Sequence, residues 1–171
     1  MSLQNSSVAG RIMGIDASTF TGLACIEASG ELVGSKLINF PKERGLTRVQ
    51  SIARAVRNVA EEWRPALVVL EHYAFSNKNT LVTLVEVGTG IRLALKELEI
   101  PWLEVPPTVL KKFTTGKGNA KKPEMAQYVA ERWGFVSKSD DVIDAYALAA
   151  LGNDLALDQF QNLPKGVHYA I

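Results

Sequence analysis

The stretch Arg11-Ile-Met-Gly-Ile-Asp-Ala-Ser-Thr-Phe-Thr-Gly-Leu-Ala24 decides how the rest of the chain is read. Ile12, Met13 and Ile15 predict a short buried strand, and Asp16 arrives where that strand should end. A carboxylate there is costly to bury unless a metal or another cation compensates it. Gly14 removes a side chain beside the acid, which lets backbone or ligand come close. Gly22 then opens a second apolar run, Leu23 to Ile26. Taken alone, Asp16 reads equally well as an acid that closes a strand and starts a turn.

The chain has 171 residues, enough for one domain with a real core. Its formal net charge is +1, and apolar and charged content are ordinary for a globular protein. No apolar run approaches the ~20 residues needed to span a membrane. Residues 1–10 lack the pattern of a signal peptide and read as a loose tail. Cys25 is the only cysteine and lies in an apolar run, so a buried thiol in a reducing, cytoplasmic setting is expected.

Outward from the opening stretch, strands are predicted near 12–16, 21–28 and 32–39, the last two joined through Ser29-Gly30-Glu31 as a tight hairpin. A helix follows from Leu46 to Trp63, with Leu46, Val49, Ile52, Ala53, Val56 and Ala60 at helical spacing. Ala66-Leu-Val-Val-Leu70 is a continuous apolar strand that delivers Glu71 at its end. Helices are predicted over Thr80 to Leu98, Thr108 to Phe113, Lys121 to Trp133 and Asp140 to Leu151, with a strand from Trp102 to Val105. Gly88 and Gly90 lower helix propensity in the first of these helices, which points to close packing against a neighbour, with a second subunit as one candidate. The expected fold is α/β: a mixed sheet of a three-strand antiparallel meander plus two parallel strands, flanked by helices. The expected division is a tail over 1–10, one domain over 11–152 and a C-terminal extension over 153–171.

Asp16 and Glu71 each end an apolar strand, and neighbouring strands lie about 4.8 Å apart. Asp141 and Asp144, three residues apart, share one helix face. Acids at a helix start are often there only for the macrodipole. Asp144, however, lies close to the apolar side formed by Ile143, Ala147, Leu148 and Ala150, and a carboxylate there needs a partner. If that helix crosses the sheet, four carboxylates converge and repel one another. Hard divalent ions, Mg²⁺ or Mn²⁺, are the natural compensation, and a pair of them supports phosphodiester cleavage. Charge is also segregated along the chain. Seven bases stand against Glu124 and Glu131 between Pro107 and Lys138, and five acids against Lys165 beyond Ser139. That distribution suits a polyanion on one surface and cations on another.

Gly14-Ile-Asp-Ala-Ser18, Val69-Leu-Glu71 and Asp141-Val-Ile-Asp-Ala-Tyr-Ala-Leu-Ala149 together resemble the acidic motifs of RuvC-type Holliday junction resolvases, members of the ribonuclease H-like nucleases. The resemblance covers residues 11–151 and implies an endodeoxyribonuclease that cuts four-way and related branched DNA by paired nicks, as a Mg²⁺-dependent homodimer. It implies metal ligation by Asp16, Glu71, Asp141 and Asp144, with two ions in each active site. It leaves Asp140 as the helix cap, while the residues themselves offer Ser137 to Ser139 as the cap region of the same helix. Lys111 and Lys122 resemble the two lysines this family places near the scissile phosphate, on either side of a Gly-containing loop. Lys112, Lys117 and Lys121 would add salt-dependent affinity for DNA. Family members place an aromatic after the second acid, where it stacks at the junction centre. Tyr73 and Phe75 are both candidates, with Phe75 preferred. Ala17-Ser18 departs from the Pro-Gly usual in bacterial members and points to a divergent branch such as the phage- or virus-encoded resolvases.

Two other classes compete. Gly14-Ile-Asp with Ser18-Thr19 and Thr21-Gly22 superficially resembles the phosphate loop of actin-like ATPases and sugar kinases, but those chains are far longer and no second phosphate motif is present. A non-catalytic junction binder would gain nothing from four acids facing phosphate.

Overall fold

A computed structural model describes residues 10–73 and 78–170, with backbone only at 78, 79 and 170. Phe75 lies outside the described residues. The opening stretch folds into β1 (Ile12–Asp16) and β2 (Phe20–Ile26), which pair antiparallel with Asp16 opposite Gly22. β3 (Leu32–Asn39) completes the meander through a turn in which Gly30 takes a φ of 89° and its N–H donates to the Glu27 carbonyl at 2.8 Å. That conformation suits glycine because it lacks a Cβ. β4 (Leu67–Glu71) runs parallel to β1, and β5 (Trp102–Val105) runs parallel to β4.

The structure adds one strand to the expected five. β6 (His168–Ala170) pairs antiparallel with β5 and gives the order β3-β2-β1-β4-β5-β6. Three residues carry too little alternation to be read as a strand. What forms β6 is the unpaired backbone of the β5 edge.

Successive strand residues point to opposite faces, so the sheet carries two cores. Ile12, Ala24, Ile26, Leu67, Val69, Leu103 and Val105 pack on one side, under α3 (Pro107–Thr115), α4 (Lys122–Trp133) and α5 (Asp140–Leu157). Met13, Ile15, Leu23, Cys25, Val68, Leu70 and Trp102 face the other side, against α1 (Gly45–Trp63) and α2 (Lys78–Glu97).

The helix α5 lies against the middle of the sheet. A Cβ on Gly14 would sit 1.8 Å from the Ala145 carbonyl oxygen, and one on Gly22 would sit 2.0 Å from that of Asp141. The close approach expected at Gly14 is therefore made by helix backbone. α5 also outruns its expected end at Leu151 and continues to Leu157, with Leu155 and Ala156 buried. Gly152 lies inside the helix and serves close packing, since a Cβ there would lie 2.4 Å from the Val69 side chain. Its N-cap is Ser139, within the cap region expected at Ser137 to Ser139, and its Oγ accepts from the Val142 N–H at 3.4 Å; Asp140, which the resemblance left as the cap, is the first helical residue.

The glycines of α2 make close approaches within the chain. A Cβ on Gly90 would lie 2.8 Å from Val49 of α1, and one on Gly88 would lie 2.6 Å from the Tyr73 hydroxyl.

Candidate active site

Three elements deliver the four acids. Asp16 ends β1 and Glu71 ends β4, and because Ile15 pairs with Leu70 the two carboxylates leave adjacent strands at the same edge. The third element is α5. The Asp141 carbonyl rests on Gly22, and Gly22 is the register partner of Asp16. The two glycines thus let α5 descend far enough to bring Asp141 and Asp144 beside Asp16. All four acids are partly buried.

Electrostatics reflect that convergence. Burial, followed by the charges of Glu71, Asp144 and Asp141, raises the Asp16 carboxyl well above the ordinary range. Glu71 is pushed up to about 8 by burial, with Asp144 and Asp141 adding to the rise. Asp144 rises to about 6, again chiefly through burial. Among the described residues these side chains do not close into a finished metal cage. The donor set consists of carboxylate oxygens, whose charge Lys111 and Lys122 offset in part, and it suits a hard divalent cation.

Of the expected lysines, two are brought to the acids. Lys122 opens α4 and pairs with Asp140 at 3.4 Å, and its charge lowers the pKa of Asp16, Glu71 and Asp144. Lys111, on α3, does the same for Glu71 and Asp144. Asp140, the first residue of α5, is thus the Lys122 partner. Lys117 pairs with Glu124 at 3.8 Å, and Lys121 is exposed at the N-cap of α4. Lys112 points elsewhere, into a groove of about 960 Å³ with Leu151 and Leu155 of α5.

Tyr73 is held by the protein. Its hydroxyl accepts from Arg92 Nη1, and the Arg92 guanidinium carbon lies 4.9 Å from its ring centroid. Behind Arg92 stands a residue that sequence reading passed over. Glu104, 7% exposed, accepts from Arg92 Nε at 2.7 Å and Nη2 at 3.0 Å, and from Trp102 Nε1 at 3.2 Å. Burial raises its carboxyl, but Arg92 and Trp102 outweigh that and hold it below the ordinary range. The available signal was an acid inside the apolar run Trp102-Leu-Glu-Val105.

The mixed sheet, the crossing helix and acids drawn from β1, β4 and α5 define a ribonuclease H-like nuclease. A family model described as "Crossover junction endodeoxyribonuclease RuvC" matches residues 12–151, and the chain belongs to that family. The RuvC crossover junction endodeoxyribonuclease of Carboxydothermus hydrogenoformans is 31% identical over 149 residues, covering 83% of this chain and 94% of the relative. The solved structure of Thermus thermophilus RuvC aligns with a TM-score of 0.75 at 25% identity, covering 86% of this chain and 96% of that one. A second structure, T. thermophilus RuvC in complex with a Holliday junction substrate, aligns with the same TM-score of 0.75 at 22% identity, covering 88% and 96%, and speaks for the fold. Family membership makes the chain a crossover junction endodeoxyribonuclease, and the family depends on divalent metal.

Proposed function

We propose that this chain resolves four-way DNA junctions, as a homodimer, with Asp16, Glu71, Asp141 and Asp144 as the ligands of two Mg²⁺ ions. One observation carries the residue assignment: after burial, the charges of Glu71, Asp144 and Asp141 raise the Asp16 carboxyl, those of Asp144 and Asp141 raise Glu71, and the charges of Lys111 and Lys122 converge on the same cluster. Self-repelling carboxylates of this kind are retained where a cation joins them. Mn²⁺ has the same oxygen preference and would substitute. When bound, such a pair of ions supplies an activated water and stabilises the leaving oxygen of a phosphodiester.

The protein's own groups do the rest. Asp16 and Glu71 sit on rigid strand ends, which fixes the ligand positions before substrate arrives. Lys122 and Lys111 offset the acidic charge and hold the scissile phosphate against it. Lys112, Lys117 and Lys121 contribute backbone affinity that falls with salt. Stacking at the junction centre is assigned to Phe75, because the Tyr73 ring and hydroxyl are already engaged by Arg92. The site acts on DNA in the cytoplasm.

The test is cleavage of a labelled synthetic four-way junction beside a matched linear duplex, with and without Mg²⁺. Paired symmetric nicks that need metal and a branch support the proposal. Equal cutting of the linear duplex removes junction selectivity, and tight junction binding without cutting in Mg²⁺ or Mn²⁺ overturns the nuclease reading.

A further inference from the structure

The strand that carries Glu71 does not end freely. His72, the next residue, donates its backbone N–H to the Val105 carbonyl of β5 at 2.8 Å. Tyr73 then reaches α2, where its hydroxyl faces the Val85 carbonyl at 3.5 Å and accepts from Arg92 Nη1. Gly88 and Arg92 are one helical turn apart and share a face. The first makes room for the phenol, since a Cβ there would crowd its oxygen, and the second closes over its ring.

Arg92 is itself fixed. Both its Nε and its Nη2 bond the Glu104 carboxylate, and Trp102 Nε1 occupies a further acceptor position on the same group. The Nε2 atoms of His72 and His168 lie 3.9 and 3.6 Å from Glu104 Oε2, so the exit of β4, α2, β5 and β6 meet at one carboxylate. A bidentate guanidinium–carboxylate pair of this kind is directional as well as strong, and a lysine cannot reproduce it. None of these side chains belongs to the acid cluster.

We infer that Arg92 and Glu104 are positioning residues of the nuclease site: through Tyr73 they hold the exit of β4, and with it Glu71, in one geometry. The inference rests on the proposed ligand role of Glu71. The mechanism is steric and geometric. A strand end anchored on both sides keeps its last carboxylate within the tolerance that catalysis demands, whereas an end released at Tyr73 lets it wander.

The test compares wild type with Arg92→Lys and Tyr73→Phe on the labelled four-way junction, measuring single-turnover cleavage in Mg²⁺ and junction affinity in Ca²⁺. Arg92→Lys keeps the charge beside Glu104 but loses the fork and the ring cover. Tyr73→Phe removes only one oxygen and leaves the Arg92–Glu104 pair intact, so folding is preserved. The expected result is cleavage slowed about tenfold in Arg92→Lys and less in Tyr73→Phe, with affinity within about twofold of wild type. In the double variant the two losses should fall short of additive, because both act through one contact. Wild-type cleavage by Tyr73→Phe overturns the inference, even if Arg92→Lys is too unstable to assay. Parallel losses of affinity and cleavage overturn it too, since they mark direct DNA contact. A wild-type chain that binds the junction without cutting it refutes the nuclease reading first, and this inference with it.

Discussion

Glu71 and Glu104 stand on adjacent parallel strands, one register step apart, and their environments are opposite. Glu104 is surrounded by donors: Arg92 twice, and Trp102. Its carboxyl is held below the ordinary range. Glu71 has acids for neighbours and is pushed up to about 8. Both carboxylates are costly to bury; the donors around Glu104 outweigh that cost, whereas Lys111 and Lys122 offset only part of it at Glu71. An acid satisfied by its own chain stabilises structure, and the acid left in conflict is the one proposed to take an external cation.

The widest separation between the two should appear in activity and stability. Asp16→Asn is expected to bring junction cleavage in Mg²⁺ below detection while gel-shift affinity for the junction is kept; undiminished cutting would end the metal-ligand assignment. Glu104→Gln leaves the Arg92 charge without its partner and should cost about 3–5 kcal/mol in urea unfolding. Asp144→Asn, by contrast, should raise the metal-free melting temperature at pH 8, since it removes a repelled charge. If both substitutions destabilise alike, the contrast between satisfied and conflicting acids is wrong.

The pH dependence carries the same contrast with a definite sign. An acid with a raised folded pKa binds more protons folded than unfolded, so stability falls as pH rises from the ordinary carboxylate value toward the folded one. For Glu71 that window runs from 4.5 to about 8, and for Asp144 from 3.8 to about 6. With EDTA present, these two groups should make the melting temperature lower at pH 8 than at pH 5, and saturating Mg²⁺ should narrow the gap by binding the deprotonated acids. A gap that EDTA and Mg²⁺ leave unchanged would show that the acids hold no metal.

The smallest effect is expected from Lys112→Ala, which sits apart from the acids. It should lower junction affinity uniformly and reduce the slope of log K against log salt by about 1, leaving the cleavage rate of bound junction intact. Lys122→Ala should instead slow cleavage of bound junction, since Lys122 acts on the acids themselves. Equal behaviour of the two lysines would erase the distinction between phosphate clamping at the site and affinity at a distance.

The amino-acid sequence by itself determined the alternation of apolar runs that builds five strands and five helices, because burial is periodic and periodicity is local. It also marked Asp16 and Glu71, as acids at the ends of apolar strands, and Lys111 and Lys122 through the family resemblance. Tertiary structure decided what local pattern does not carry. β6 exists because the β5 edge had unpaired backbone, and α5 passes Leu151 because the core it shares with the sheet, α3 and α4 buries Leu155 and Ala156. Asp140 became the partner of Lys122 because α4 packs against α5. Gly88 and Gly90 turned toward Tyr73 and α1 within the chain. Glu104 was visible as an odd acid in an apolar strand, yet its meaning depended on Arg92, which is twelve residues away on a helix. A charge's neighbours come from packing, and packing alone separated the carboxylate that holds the fold together from the one proposed to hold a metal.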